Sequence, residues 1–198
     1  MKTVLQINSS LFGEQGQSSQ LASSLVKRLL GPVDRLVRRD LAADPVPHLD
    51  AQRFVAFTTL EAERTEEQRE VAAYSDGLIN ELRAADVIVL GLPMYNFGVP
   101  SSLKAYFDHV ARAGQTFRYT PQGPQGLLSG KKAYVLAARG GHYQGTPKDS
   151  ETTYVRDFLA FIGIHDVEFI YAEGLAISTE MKTTALEAAN SSIALLAA

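Results

Sequence analysis

The chain contains no cysteine and no tryptophan among its 198 residues. The absence of cysteine excludes disulfides, thiol nucleophiles, zinc–thiolate sites and cysteine-ligated iron–sulfur clusters. Long apolar runs are missing as well, both at the amino terminus, where a signal peptide would need one, and further along, where a membrane span would. We therefore expect a cytoplasmic protein without a membrane partner.

An excess of positive charge is also absent, because 19 basic residues are set against 22 acidic ones and the net charge is -3. A nucleic-acid-binding surface would carry a basic excess, so we expect no nucleic-acid partner. The four histidines lie far apart without metal-ligand spacing, and we expect no metal site. Hydrophobic residues make up 45% of the chain, which predicts one domain spanning residues 1–198.

Short apolar segments alternate with segments of helical periodicity, a pattern that predicts a parallel sheet covered by helices. The predicted strands are residues 3–7, 33–41, 87–90, 132–138 and 166–171. The second strand is the most polar and is expected at a sheet edge. The fold class is therefore α/β and flavodoxin-like, a five-stranded parallel sheet of order 2-1-3-4-5 with helices on both faces.

Capping residues mark where most of the helices should begin. Ser18, Thr65 and Ser150 are the expected N-caps of three helices. Pro100 should start a fourth helix that ends at Gly114, and residues 180–197 should form the last. We expect residues 42–59, rich in proline and turn formers, to be a surface excursion, and residues 116–128 to contain a small hairpin.

In this strand order the first and third strands are neighbours whose connections leave toward opposite faces. Ligands bind in open α/β sheets at the carboxyl edge of such a switch point. Three loops should meet there, formed by residues 9–19, 93–98 and 139–143. Convergence of the three loops is a stronger indication of a ligand site than any of them alone.

The first loop ends in G-Q-S-S at residues 16–19, at the start of a predicted helix. Unpaired N–H groups, hydroxyls and the helix dipole favour an anion there, although a simple serine-rich cap is an alternative. The loop lacks both the Walker A pattern and the dinucleotide glycine fingerprint. It also lacks lysine and arginine, which fits a phosphomonoester such as that of FMN, held by neutral donors.

The other two loops offer the features of a site for a flat ring. Met94, Tyr95 and Phe97 provide apolar walls, with Asn96 as a polar contact. Two adjacent glycines after the fourth strand allow the backbone to approach a ring edge and present N–H groups to it. Arg139 is expected either to polarise that edge or to form a surface ion pair.

Several motifs together resemble the bacterial FMN-dependent NADH azoreductases, also described as NADH:quinone reductases. The matching segments are N-S-S at 8–10, G-Q-S-S at 16–19, L-P-M-Y-N-F-G-V-P-S-S-L-K-A-Y-F-D at 92–108, G-Q-T-F-R-Y-T at 114–120, A-R-G-G at 138–141 and F-I-G-I at 161–164. The resemblance runs nearly from end to end. One departure is Ala138, where members of the family often have serine or threonine.

The resemblance implies a tightly bound, non-covalent FMN, with the phosphate near residues 10 and 16–18 and the ring against the other two loops. The expected cofactor-binding residues are Ser10, Gly16, Gln17, Ser18, Pro93, Met94, Tyr95, Asn96, Phe97, Ala138, Arg139, Gly140 and Gly141. The expected substrate-binding residues are Asn96, Tyr119, His142 and Phe161. No side chain is expected to be catalytic by itself.

The resemblance further implies a ping-pong oxidoreductase that uses NADH, or NADPH, to reduce quinones and to cleave aromatic azo compounds. It implies a homodimer in which the neighbouring subunit completes each active site. Two alternatives stay open: an electron carrier that binds FMN without turning over a small substrate, and an α/β binding domain without a cofactor. NADH oxidation that depends on a quinone would distinguish the enzyme from both.

Overall fold

The computed structural model, which describes residues 1–196, contains the expected parallel sheet. The strands are β1 (Thr3–Asn8), β2 (Arg35–Asp40), β3 (Val87–Pro93), β4 (Phe117–Thr120), β5 (Gly123–Gly126), β6 (Lys132–Ala138) and β7 (Asp166–Ala172). The parallel sheet has the order β2-β1-β3-β6-β7, and β4 and β5 form the separate hairpin. This order confirms the flavodoxin-like fold class. As expected for a polar strand, β2 lies at one edge.

The helices are α1 (Gln17–Leu29), α2 (Ala51–Thr58), α3 (Glu66–Ala84), α4 (Ser101–Val110), α5 (Ser150–Ile162) and α6 (Thr179–Leu196). Side chains cap some of these helices, whereas α1 and α4 begin without a side-chain cap. Thr65 forms the expected cap of α3, as part of a capping box with Gln68. The expected caps of α1 and α5 were wrong, because Gly16 occupies the N-cap position of α1 and Asp149 that of α5.

Two further expectations from the sequence are corrected by the structure. The excursion of residues 42–59 contains α2, whose N-cap Asp50 accepts a hydrogen bond from the N–H of Arg53 at 2.8 Å. Helix α4 ends at Val110, before Gly114. The predicted end of the last helix at Ala197 lies outside the described residues.

Two apolar cores lie on opposite faces of the sheet. On one face, α1 and α6 pack through residues such as Leu25 and Ile193. On the other, α3, α4 and α5 pack through residues such as Leu78, Leu103 and Leu159. Because α1 leaves β1 toward one face and α4 leaves β3 toward the other, the switch point lies between these two adjacent strands. Among residues 1–196, no helix is both long and apolar enough to cross a bilayer.

Candidate functional site

The loop after β1 places unpaired donors at the start of α1. Gly16 is the N-cap, so the N–H groups of the first helical turn have no carbonyl partner within the helix. The hydroxyls of Ser18 and Ser19 are fully buried and make no hydrogen bond within residues 1–196. Buried hydroxyls are normally hydrogen-bonded, and the neutral donors of this cluster fit a phosphate.

Two glycines bring the backbone close enough to form this cluster. A Cβ on Gly16 would lie 2.1 Å from the Oγ of Ser10. A Cβ on Gly91, inside the buried strand β3, would lie 3.0 Å from the carbonyl oxygen of Ser18. The start of α1 therefore rests directly on β3. Sequence reasoning did not single out Gly91, although a glycine within an apolar strand is a signal for close backbone approach.

The turn after β3 has an unusual backbone. Tyr95 and Gly98 exchange two N–H···O hydrogen bonds of 3.0 Å, and between them Asn96 and Phe97 have φ values of 51° and 62°. Two consecutive residues in the left-handed region make a type I′ turn, which favours asparagine and glycine. For phenylalanine this conformation costs about 1–2 kcal/mol. The turn leaves the Phe97 side chain about half exposed at the edge of the sheet.

Tyr95 links this turn to the loop after β1. Its hydroxyl accepts a hydrogen bond from the N–H of Leu11 at 3.2 Å and lies 3.3 Å from the Oγ of Ser10. The same Oγ accepts a hydrogen bond from the N–H of Phe12 at 3.2 Å. These contacts hold Ser10 beside Gly16, so the position of the neutral donor cluster depends on the aromatic turn.

The aromatic turn is also joined to the loop after β6. The N–H of Met94 donates to the carbonyl of Ala138 at 3.1 Å, which extends the pairing of Pro93 with Ala138. The rings of Phe97 and Tyr143 meet edge to face with their centroids 5.5 Å apart. The three loops that the sequence placed at one switch point therefore form a connected surface.

Two glycines in the loop after β6 present N–H groups that have no protein acceptor within the described residues. These are the amides of Gly140 and Gly141, whose carbonyls are engaged: they accept hydrogen bonds from the N–H groups of Ala176 and Gly174, at 3.0 and 3.1 Å. A Cβ on Gly141 would lie 2.8 Å from the hydroxyl oxygen of Tyr143. The loop therefore offers backbone donors, and a side chain at residue 141 would have to displace the Tyr143 ring.

Arg139 lies beneath this loop, and its side chain is fully buried. Its Nη2 donates to Asp149 at 2.7 Å and its Nη1 to Glu173 at 3.2 Å, while its Nε lies 3.5 Å from a carboxylate oxygen of Glu151. The expectation of a surface ion pair was wrong because all of these contacts are buried. The Arg139 backbone is engaged as well, since its N–H donates to the carbonyl of Ala172 at 2.9 Å and its carbonyl accepts from the N–H of Leu175 at 3.1 Å. The guanidinium is therefore not available to polarise a ring edge.

Two of the acidic groups around Arg139 have pKa values that are shifted in opposite directions. Burial raises the pKa of Glu151 to about 8, and this effect outweighs the opposing attraction of the Arg139 guanidinium. Burial also acts to raise the pKa of Asp149, but hydrogen bonds from Arg139 and Thr152 outweigh it and lower that pKa below its usual range. Near pH 7 Glu151 therefore carries a proton, which limits the excess negative charge of the cluster.

Tyr119 and Phe161 are not brought to the three loops within one chain. Tyr119 belongs to β4, which follows the far end of α4, and Phe161 lies in the last turn of α5. Both helices run back from the carboxyl edge of the sheet, whose strands of seven residues span roughly 20 Å. Tyr119 is 76% exposed and lines a cavity of about 450 Å³ with Phe54, Phe57 and Phe117.

His142 does lie at the loops, directly after the double glycine. It is exposed, and its imidazole packs so closely on the backbone that a Cβ at Gly174 would lie 2.9 Å from it. The residues that sequence reasoning missed are the acidic partners of Arg139. Their one sequence signal is Arg139 itself, at the end of an apolar strand, where a buried cation needs carboxylates.

Comparisons with known proteins place this geometry among flavoproteins. The profile of the flavodoxin-like fold family matches residues 2–196. The chain is 58% identical to an FMN-dependent NADH:quinone oxidoreductase of Cellvibrio japonicus over 177 residues, which cover 88% of this chain and 89% of that protein. It is 53% identical to FMN-dependent NADH:quinone oxidoreductase 6 of Burkholderia lata, over 98% of this chain and 99% of that protein.

Solved structures agree in shape. The fold is similar to an azoreductase from Bacillus anthracis strain Sterne, with a TM-score of 0.88, 30% identity and coverage of 100% of this chain and 99% of that one. It is also similar to an FMN-dependent NADH-azoreductase from the Ames Ancestor strain, solved in complex with FMN, with a TM-score of 0.87, 26% identity and coverage of 100% of both chains.

Proposed function

Since the chain belongs to the flavodoxin-like fold family, we propose that it is an FMN-dependent oxidoreductase that uses NADH to reduce quinones and to cleave azo compounds. The observation that carries this proposal is the pair of buried, unpartnered hydroxyls of Ser18 and Ser19 at the start of α1, beside an exposed aromatic turn. Buried hydroxyls normally have a hydrogen-bond partner, and here the unpaired amides of the first helical turn lie beside them.

The residues of the three loops fit FMN at both of its ends. Ser10 and the Gly16–Ser18 segment offer hydroxyl and amide donors to a phosphate, close to a helix terminus. The aromatic turn of residues 94–97 offers an apolar surface to the ring, and the amides of Gly140 and Gly141 offer donors to the ring's polar edge. Neutral donors throughout explain why the site needs no lysine or arginine.

Bound FMN would supply the redox chemistry, by taking hydride from NADH and passing it to a second substrate that enters the same place, in a ping-pong cycle. The chain itself binds and orients. The amides of Gly140 and Gly141 would offer donors to negative charge on the ring, and the aromatic turn would help to exclude water from it. No side chain needs to transfer a proton at a fixed atom for this arrangement to work.

We propose a homodimer in which a second copy completes the substrate site. Tyr119 and Phe161 lie away from the loops of their own chain, so they would line the substrate site of the neighbour. The aromatic cavity next to Tyr119 suits flat substrates such as quinones and aromatic azo compounds. Asn96 and His142, at the loops themselves, would contact the substrate from the other side.

We also propose a cytoplasmic location, because NADH, the electron donor, is a metabolite of that compartment. The whole of residues 1–198 would act as one FMN-binding domain. Whether NADPH replaces NADH is a matter for the same assay, run with both nucleotides.

The experiment is to purify the protein, identify any bound flavin from its visible spectrum, and follow NADH oxidation with benzoquinone and with methyl red. The proposal expects a yellow protein and steady NADH oxidation that depends on each acceptor. A yellow protein without acceptor-dependent turnover would support the electron carrier, and a colourless protein whose melting temperature ignores added FMN would support the cofactor-free domain. A Gly77→Ala variant is a suitable control, since nothing lies within 4 Å of a Cβ at that position.

A further inference from the structure

Glu173 is the residue that follows β7, and its side chain is hydrogen-bonded to the backbone of the loop after β6. One of its carboxylate oxygens, Oε1, accepts hydrogen bonds from the N–H groups of Tyr143 and Gln144, both at 2.9 Å. The same oxygen accepts a hydrogen bond from Nη1 of Arg139 at 3.2 Å. A carboxylate that accepts two backbone N–H groups and a guanidinium N–H is a strong anchor, because each of these bonds is charge-assisted.

Arg139, to which Glu173 is hydrogen-bonded, is itself held on several sides. The Arg139 side chain is fully buried, and its Nη2 is fixed by Asp149 at 2.7 Å and by the hydroxyl of Thr152 at 3.1 Å. Its guanidinium carbon lies 5.1 Å from the centre of the Tyr171 ring. Glu173 therefore connects an exposed glycine loop to a buried ion cluster that belongs to the core of the sheet.

The segment that Glu173 holds lies immediately after the two glycine amides. Glycine has the largest backbone freedom of any residue, so the Gly140 and Gly141 donors need support from outside the pair. The carbonyls that share their peptide planes, those of Arg139 and Gly140, accept hydrogen bonds from the N–H groups of Leu175 and Ala176 at 3.1 and 3.0 Å.

The segment that follows the pair needs a separate support. In that segment, Tyr143 is held at its N–H by Glu173. Its ring packs on Phe97, and its hydroxyl closes on Gly141.

We propose that Glu173 is a positioning residue for the flavin ring: through the amides of Tyr143 and Gln144 it fixes the Gly140 and Gly141 donors that the ring edge binds. The inference rests on the proposed function, since it requires the ring to lie at this loop. Glu173 does not touch the ring and acts only through the backbone of residues 140–144.

The experiment measures the affinity of the apoprotein for FMN and for riboflavin, which has the same ring but no phosphate, by quenching of flavin fluorescence. Glu173→Ala should weaken the binding of both flavins about tenfold and by the same factor, because the donors it releases act on the ring. Glu173→Gln keeps an acceptor oxygen for the two N–H groups and should restore most of the affinity. Glu168→Ala, within β7 and in a partly exposed pair with Lys132, is the matched control and should bind both flavins normally.

Each other outcome overturns a definite statement. If Glu173→Gln is as weak as Glu173→Ala, Glu173 acts through its charge, and if only FMN binding falls, the effect lies at the phosphate; either result overturns the positioning role. If Gly141→Val weakens riboflavin binding while Glu173→Ala does not, the flavin site stands and the inference about Glu173 falls. If neither affects riboflavin, the proposed ring site itself is wrong.

Glu173→Asp keeps the test decisive if the alanine variant does not fold. It keeps the charge beside Arg139 but withdraws the carboxylate by one methylene from the amides of Tyr143 and Gln144. We expect an apoprotein that melts as the wild type does and that binds riboflavin about threefold to tenfold more weakly. Wild-type affinity for riboflavin in this variant would overturn the proposal.

Discussion

Two loops at the same edge of the sheet present N–H donors, and they are built in opposite ways. The start of α1 is neutral, and its orphan donors are the amides and hydroxyls of residues 17–19. The loop after β6 rests on Arg139 and three carboxylates. A helix orients its terminal amides through its own hydrogen bonds, whereas a pair of glycines must be held from outside. The charged cluster therefore supports the loop after β6, whose N–H groups are not oriented by a helix.

The neutral loop should be broken most severely by a side chain at Gly16. A Cβ there would lie 2.1 Å from the Ser10 hydroxyl, which Tyr95 holds in place, so Gly16→Val must displace Ser10. We expect FMN affinity to fall by about 100-fold or more, measured by fluorescence quenching. Riboflavin affinity should fall much less, and Gly77→Ala should leave both unchanged. FMN binding within about threefold of the wild type would show that the phosphate lies elsewhere.

The charged cluster around Arg139, beneath the loop after β6, should make the free energy of unfolding depend on pH. Burial raises the pKa of Glu151 to about 8 in the folded protein, so unfolding releases a proton wherever the pH lies between the ordinary glutamate pKa and that value. This contribution is complete at low pH and is lost as the pH rises, by up to about 1.4 kcal/mol per pH unit. Glu151→Gln, which cannot titrate, should remove that slope.

The measurement is urea denaturation of the wild-type and Glu151→Gln apoproteins at about pH 6 and about pH 7.5. Both values lie within the range in which unfolding should release the Glu151 proton. The stability of Glu151→Gln relative to the wild type should rise by about 2 kcal/mol between them. Histidines titrate in both proteins and cancel in the difference. Parallel pH profiles would mean that Glu151 is ionised in the fold and that Arg139 compensates all three carboxylates.

Much of the fold was predictable because it follows from local patterns. The buried strand β3 is a continuous apolar run, and the alternation of strands and helices leaves few topologies. Helix α2 escaped prediction because it has only eight residues and follows two prolines, although Asp50 is an N-cap signal. The cap of α1 was misplaced because Gly16 takes the N-cap position, and Ser18 lies inside the first turn with a hydroxyl that makes no hydrogen bond within the described residues.

The position of the candidate site was predictable from the order of the strands. That three loops meet follows from the strand order alone, since the carboxyl ends of adjacent parallel strands share an edge. The ion cluster was not predictable, because Glu173 lies 34 residues from Arg139 in sequence and a charged residue considered alone is expected in solvent. The distance of Tyr119 from the loops follows from the direction of α4, which the sequence pattern contains but which only the packed structure makes evident.

The two unpartnered serines allow a test in which stability and binding move in opposite directions. The Ser18 hydroxyl is buried without a partner, so Ser18→Ala should stabilise the apoprotein by about 1 kcal/mol. The same change removes a donor to the phosphate, and FMN affinity should fall about tenfold while riboflavin affinity does not change. Ser24 lies further along α1 and donates its hydroxyl to Asn190 of α6. Ser24→Ala is therefore the matched control for binding. A loss of apoprotein stability in Ser18→Ala would mean that its hydroxyl is already satisfied.

The smallest effect on FMN affinity is expected from a change in salt concentration. This test compares the neutral start of α1 with the charged cluster beneath the loop after β6. Residues 9–20 contain no lysine or arginine, so a phosphate at the start of α1 would be held by hydrogen bonds and the helix dipole, which act over one turn. FMN affinity should change by less than about threefold between about 0.05 M and about 0.5 M sodium chloride, because such short-range contacts are little screened. Riboflavin, titrated in parallel, corrects for the effect of salt on the ring. A steep loss confined to FMN would instead require a cation at the phosphate, brought from another part of this chain or from a second copy.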